Sequence, residues 1–216
     1  MRELSTGAVS EIAVVGAHCD DIAIGMGGTL LSLCADNAGL RVHALVLSGG
    51  GTEREAEERA ALDAFCRGAS LNVTVLNLPD GRAPAHWEAV KMALHDFRQT
   101  CDPAIVFGPQ RHDAHQDHRL LAELVPTEFR DHINLGYEIL KWETDTPQPN
   151  VFVPLAFGVA EEKARLLCKY YQSQVMHDWF DEEAFLGLTR LRGVQCRSRH
   201  AEAFTAEKIS LRLGGC

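Results

Sequence analysis

A chain of 216 residues that is 46% hydrophobic and 24% charged has the make-up of an ordinary folded protein, which excludes a disordered or fibrous one. At this length about 70% of the unfolded chain's surface is buried on folding, enough for one core in a single domain over residues 1–216 without disulfide or metal staples. The 30 Asp and Glu against 21 Lys and Arg leave a net charge of -9, so nucleic acid and anionic lipid surfaces are not expected as partners. No apolar run approaches the roughly 18 residues of a membrane span, and Met1 to Glu11 carry no apolar signal core, so a cytoplasmic location is expected. The cysteines, Cys19, Cys34, Cys66, Cys101, Cys168, Cys196 and Cys216, are dispersed and contain no Cys-x-x-Cys pair, so they read as small buried hydrophobes rather than disulfides or a thiolate zinc site. The sequence carries no signature of oligomeric state, and a homo-oligomer is compatible with it.

Short apolar runs alternate with helical patterns. Ile12 to Gly16 reads as a strand, Ile24 to Ala35 as a helix ended by Gly39, and Arg41 to Ser48 as a second strand. Thr52-Glu53-Arg54-Glu55 offers a capping box for a helix that stops near Gly68. Leu71 to Leu78 is a third strand closed by Pro79-Asp80-Gly81, Ala85 to Thr100 a third helix, Ala104 to Gly108 a fourth strand, and Arg119 to Phe129 a fourth helix. Beyond Asp131 the pattern loosens: strands at Leu135 to Leu140 and Val151 to Phe157 precede helices at Glu161 to Tyr171 and Glu182 to Leu191, with a short tail holding Ala201 to Phe204. Strands separated by helices of this length predict an α/β fold, a doubly wound, Rossmann-like, mostly parallel sheet with helices on both faces.

The first strand runs into His18-Cys19-Asp20-Asp21, and the fourth into a loop with His112, Asp113, His115, Asp117 and His118. In a doubly wound sheet these two strands are neighbours at the topological switch point, so both loops open onto one crevice and can share a metal. Nitrogen and carboxylate ligands without thiolate suit a divalent ion such as zinc, and three of them leave a position open for water, as in a catalytic site. An unligated carboxylate nearby can take a proton from that water, so Asp20 and Asp21 can divide ligation and base chemistry. His115 can serve as electrophile or acid.

These motifs resemble the LmbE-like, or PIG-L, family of zinc-dependent N-deacetylases. The family's Ala-His-Pro-Asp-Asp before a glycine-rich helix start is matched by Ala17-His18-Cys19-Asp20-Asp21 and Gly25-Met26-Gly27-Gly28-Thr29, and its His-x-Asp-His by His115-Gln116-Asp117-His118. Further similarity lies in Arg-x-x-Glu at Arg54 and Glu57, in Gly136-Tyr137-Glu138, in Arg192-Gly193 and in Ala201-Glu202-Ala203-Phe204. The resemblance implies that His18, Asp21 and His118 ligate one zinc per chain, with iron as the alternative ion, and that Asp20 is the general base. It implies further that His115 stabilises or protonates the tetrahedral intermediate, with Asp117 orienting it. Cys19 stands where the family has proline, which predicts a site open to oxidation, because a partly exposed thiol near a cation ionises readily. His200 stands where many relatives have tyrosine.

For substrate contacts, Arg54 sits unfavourably in the first turn of a helix, which points to substrate or carboxylate pairing. Asp80 faces the crevice but is also explained by its turn, and Trp142 is a candidate to stack on a sugar ring. Gly25, Gly27 and Gly28 lack the dinucleotide spacing and read as close helix-to-sheet packing. The expected activity is zinc-dependent removal of an N-acetyl group from an amino-sugar unit of a small molecule or glycoconjugate. The rivals are another metal hydrolase, such as a phosphoesterase, and a non-catalytic sugar-binding protein.

Overall fold

The computed structural model describes residues 2–211, so Cys216 lies outside the described residues. The elements are β1 (Glu11–Gly16), α1 (Asp21–Asp36), β2 (Arg41–Val46), α2 (Glu53–Phe65), β3 (Ser70–Val75), α3 (Trp87–Gln99), β4 (Ile105–Pro109), α4 (Gln116–Glu128), β5 (Ile133–Tyr137), β6 (Val151–Leu155), α5 (Val159–Tyr170), α6 (Glu182–Cys196) and β7 (His200–Thr205). The strands form one sheet in the order β3-β2-β1-β4-β5-β7-β6. The pairs from β3 through β5 are parallel, and β7 runs antiparallel to both β5 and β6. This is the expected doubly wound arrangement with an antiparallel strand near one edge.

The continuous apolar run of β1 is explained by burial on both faces. Ile12 and Val14 point into one core layer, shared with residues of α1, α2, α5 and α6, while Ala13 and Val15 point into the other, shared with α3 and α4. The edge strand β3 has the alternating exposure of a strand covered on one side only.

Several local expectations need correction. Ala201 to Phe204 is not a tail but lies in β7, inserted between β5 and β6; a charged residue in an otherwise small and apolar run conceals it. The third helix begins later than expected, because Ala83–His86 forms a 3₁₀ turn around Pro84 before α3. The capping box at α2 is not made: the Thr52 hydroxyl donates back to Gly49 O at 2.6 Å, and the Glu55 carboxylate accepts from Gly51 N at 2.7 Å. The tight turn through Gly49 and Gly51, both at positive φ, brings those partners closer.

The buried charge in β7 has a task. Helix α1 is broken at Met26 (φ -146°, ψ 20°), which frees backbone groups in a buried place. The Glu202 carboxylate accepts from Gly28 N at 2.9 Å and Thr29 N at 2.6 Å, so a negative charge caps the second half of the helix. Lys163 donates to Ile24 O at 2.6 Å at the end of the first half and pairs with Glu202 at 2.6 Å. Removing either partner strands a buried charge, a change that costs about 3–5 kcal/mol in such settings.

Gly25 and Gly28 of α1 pack against the sheet, as expected, while Gly27 packs against helix α2. A Cβ on Gly25 would lie 2.3 Å from the Tyr137 ring, on Gly27 2.7 Å from Phe65, and on Gly28 2.8 Å from Leu155. Gly187, inside α6, would meet nothing within 4 Å. Gly25→Ala is therefore expected to destabilise the protein by about 1–3 kcal/mol through overpacking. Gly187→Ala should be neutral or stabilising by up to about 1 kcal/mol. Urea unfolding of the two variants beside the wild type checks the contrast.

Candidate metal centre and active site

The chain leaves β1 for β2 and β3 on one side and leaves β4 for β5 on the other, so the loops after β1 and β4 diverge over a crevice. Three donor atoms converge there, from His18 in the first loop, Asp21 at the start of α1 and His118 in the first turn of α4. His18 Nδ1 lies 3.1 Å from His118 Nε2, and Asp21 Oδ2 lies 3.6 Å from the first and 3.2 Å from the second. Ligands of one tetrahedral zinc, at bonds of about 2.0–2.2 Å, stand roughly 3.3 Å apart, so this donor set fits a divalent ion. All three residues are buried.

The far side of each imidazole faces a carboxylate. His18 Nε2 lies 3.0 Å from Asp80 Oδ1 and 3.4 Å from Asp117 Oδ2, and His118 Nδ1 lies 3.1 Å from Asp113 Oδ2. Such outer partners fix the tautomer that turns the other nitrogen toward a metal. Two further groupings, His18 with His115 and His118, and His18 with Asp80 and Asp117, also bring donor atoms within 4.8 Å of one another. The His18, Asp21 and His118 set is tighter than that limit, and Asp80 is largely exposed.

The electrostatics favour a cation at this place. Burial works to lower the His18 and His118 pKa values, but Asp21 and the outer carboxylates outweigh it and raise them, to about 12 and about 9. Burial works to raise Asp21, yet the two imidazoles hold it well below the usual carboxylate range. Asp21 Oδ2 also accepts from Ala17 N at 2.8 Å and His18 N at 2.9 Å, which seats the carboxylate in the turn it closes.

Asp20 stands beside this centre with a different environment. It is one of two non-glycine residues at positive φ among those described, at 113°. Its Oδ2 accepts from Arg54 Nη2 at 2.8 Å. Burial, opposed by Arg54 and reinforced by Asp21, pushes its carboxyl up to about 7. His115 is the N-cap of α4, and its Nδ1 accepts from Asp117 N at 3.3 Å. Burial and the two neighbouring imidazoles lower its pKa, which favours a neutral ring with the proton on Nε2.

The remaining candidates land unevenly. The Asp117 carboxylate does not orient His115: it faces His18 and accepts from Ala83 N at 3.1 Å, and the link to His115 runs through the Asp117 backbone. Arg54 pairs with Asp20 and with the Cys19 carbonyl, the carboxylate pairing its position suggested. Cys19 is not a partly exposed thiol. It is buried against the Gly49 turn, its Sγ donates to Ser48 O, and burial together with Glu58 pushes its pKa up, so the expected sensitivity to oxidation is not supported. Glu57 accepts from Ser173 on the surface, while Glu58, one residue on, enters the core. His200, in the tyrosine position, meets Thr189 Oγ1 at 3.0 Å.

An open cleft of about 180 Å³ covers the centre, walled by Ile24, Ile139, Lys141, Gln174 and Trp179 as well as by His18, Asp20, Asp21, Arg54, Asp80, His115 and His118. Trp142 is not part of this wall; its indole donates to Asp178 Oδ1 at 2.8 Å and packs edge-on against His177 and Trp179. Trp179 was legible only as an aromatic, because residues 171–180 are successive turns without periodicity. Lys141, 3.0 Å from Asp113 Oδ2 and 2.6 Å from Asp145 Oδ2, steadies the partner of His118.

Comparison with known proteins places these features in context. The family model PIG-L, GlcNAc-PI de-N-acetylase, matches residues 13–128. The conserved protein TT1542 from Thermus thermophilus is 23% identical, with 94% of this chain and 96% of that one covered and a TM-score of 0.72. The N,N'-diacetylchitobiose deacetylase from Pyrococcus horikoshii is 17% identical, covering 92% and 84%, with a TM-score of 0.66. The 4-carboxy-2-hydroxymuconate hydratase GalB from Pseudomonas putida is 18% identical, covering 96% and 100%, with a TM-score of 0.75. At these identities the likeness to the solved structures is one of fold. No helix among the described residues is long and apolar enough to cross a membrane.

Because Asp113 holds the His118 ring, Asp113→Ala is expected to weaken metal binding by about 10–100-fold while the fold is retained. Metal affinity should also fall as pH is lowered, since ligation needs neutral imidazoles and an ionised carboxylate. Titration of the apoprotein with zinc at several pH values, with metal content read by elemental analysis, checks both.

Proposed function

The chain belongs to the PIG-L family of GlcNAc-PI de-N-acetylases, and from that premise we propose that it is a zinc-dependent N-deacetylase. Its substrate is an N-acetylated amino-sugar unit of a small molecule or glycoconjugate, and residues 1–216 act as a single domain. The observation that carries this reading is the convergence of His18 Nδ1, Asp21 Oδ2 and His118 Nε2 within 3.1–3.6 Å beside an independently held carboxylate, Asp20.

In this reading His18, Asp21 and His118 hold the ion. When bound, a divalent cation supplies Lewis acidity, polarising an acetyl carbonyl and making water easier to deprotonate. Asp20, with its pKa near neutrality, takes a proton from the attacking water and passes it to the departing amine nitrogen, so the base is restored at the end of the cycle. Arg54 keeps one Asp20 oxygen occupied and so fixes which oxygen is free to receive the proton. His115, with Nδ1 engaged by the Asp117 backbone, offers Nε2–H to the carbonyl oxygen as it gains charge. Trp179, Ile139 and Gln174 form the wall against which a sugar ring packs, and Asp80 at the open side accepts from its hydroxyls.

Acetate release from a panel of N-acetylated amino sugars by the metal-loaded protein tests the proposal. Hydration of a double bond or hydrolysis of a phosphoester would give no acetate, and simple sugar binding would give no turnover. Asp20→Ala should lower turnover by about 10²–10⁴-fold while metal content stays near wild type; activity surviving in that variant would remove Asp20 from the role of base.

A further inference from the structure

Asp20 depends on a residue that comes from another part of the fold and belongs to neither metal-binding loop. Its backbone sits at φ 113°, ψ -29°, a conformation that costs a side-chain-bearing residue about 1–3 kcal/mol unless neighbours impose it. Its N–H donates to Glu58 Oε2 at 2.8 Å. The same oxygen accepts from the Tyr171 hydroxyl at 2.7 Å. Glu58 and Tyr171 are both 0% exposed, and Glu58 Oε1 has no hydrogen-bond partner.

Such an arrangement is expensive. A wholly buried carboxyl group with one unpartnered oxygen costs stability that an apolar side chain of similar size in α2 would not. Arg54 and Glu58 lie one helical turn apart on α2, so one face of one helix meets Asp20 twice: Arg54 at its carboxylate and Glu58 at its amide. Tyr171, at the end of α5, donates to the same Glu58 oxygen and so helps to fix it.

Resting on the deacetylase reading, we propose that Glu58 is a positioning residue for the general base. It holds the Asp20 backbone in its left-handed conformation and so aims the carboxylate, with Tyr171 as its strut. It does not touch substrate or metal ligands.

The test compares Glu58→Leu, which removes the acceptor, with Glu58→Gln, whose amide oxygen still accepts from both Asp20 N–H and Tyr171 O–H. With the N-acetylated sugar that releases most acetate, Glu58→Leu is expected to lower kcat by about 100-fold, the scale of a small misplacement of a catalytic group. KM and metal content should stay near wild type, and Glu58→Gln should restore kcat to within about 3-fold of wild type. Exchange of the Asp20 amide hydrogen, followed by NMR in the zinc-loaded protein, should quicken by at least about 10-fold in Glu58→Leu and not in Glu58→Gln. If Glu58→Leu does not fold, Glu58→Asp, one methylene too short, carries the same comparison. A folded, metal-loaded Glu58→Leu or Glu58→Asp with wild-type kcat and wild-type Asp20 exchange would overturn the inference. A wild-type protein that releases no acetate would sink the deacetylase reading instead, and the exchange measurement would still decide the role of Glu58.

Discussion

One oxygen atom, Asp21 Oδ2, organises the centre. It takes the amide hydrogens of Ala17 and His18, which fixes the turn leaving β1, and it faces the ring nitrogens of His18 and His118, which lie 100 residues apart in the chain. An ionised carboxylate in a buried site is tolerable only with this density of donors and positive charge around it. The turn, the start of α1 and the meeting of the two loops therefore share one electrostatic condition. The parallel pairing of β1 with β4 meets it, because that pairing puts both loops over the same end of the sheet.

Around the centre, charge is distributed by burial as well as by pairing. Asp20 and Asp21 are adjacent and both buried, yet they are driven in opposite directions: Asp21 is held down by the two imidazoles, while for Asp20 burial outweighs Arg54 and the weaker pull of the same imidazoles. Two neighbouring carboxylates with separated acidities can do two jobs, one holding positive charge and one exchanging a proton at neutral pH. Glu58 behind them is driven upward too, to about 8, by burial, which its hydrogen bond from Tyr171 only partly offsets. The arrangement places the most acidic group against the imidazoles and the readily protonated groups behind it.

The alternation of the first four strands with helices was legible in the sequence because strands covered on both faces are continuous apolar runs, and the two His/Asp clusters were legible as neighbours because they follow β1 and β4, while the choice of His18, Asp21 and His118 within them came from the family motifs. The strand β7 was hidden by Glu202, a charge in a buried place that makes sense only once Lys163 and the broken helix α1 are seen beside it. Glu57 and Glu58 are indistinguishable by residue type, and only the packing of α2 separates the half-buried one from the fully buried one. The thiol of Cys19 departs from expectation because its closeness to a cationic site is visible in the sequence and its enclosure by Gly49 is not. Trp179 and Gln174 belong to a run of turns whose course no periodic pattern encodes.

The order in which the chain supplies these parts affects how the molecule is made. When the ribosome has released both His-Asp loops, the strand that will fill the gap between β5 and β6 is still to come, and with it the carboxylate that caps the interior of α1. Until Glu202 arrives, the amides of Gly28 and Thr29 and the ammonium of Lys163 have no anionic partner. The nascent chain thus carries both His-Asp clusters before it can lock the interior of the helix that follows the first of them.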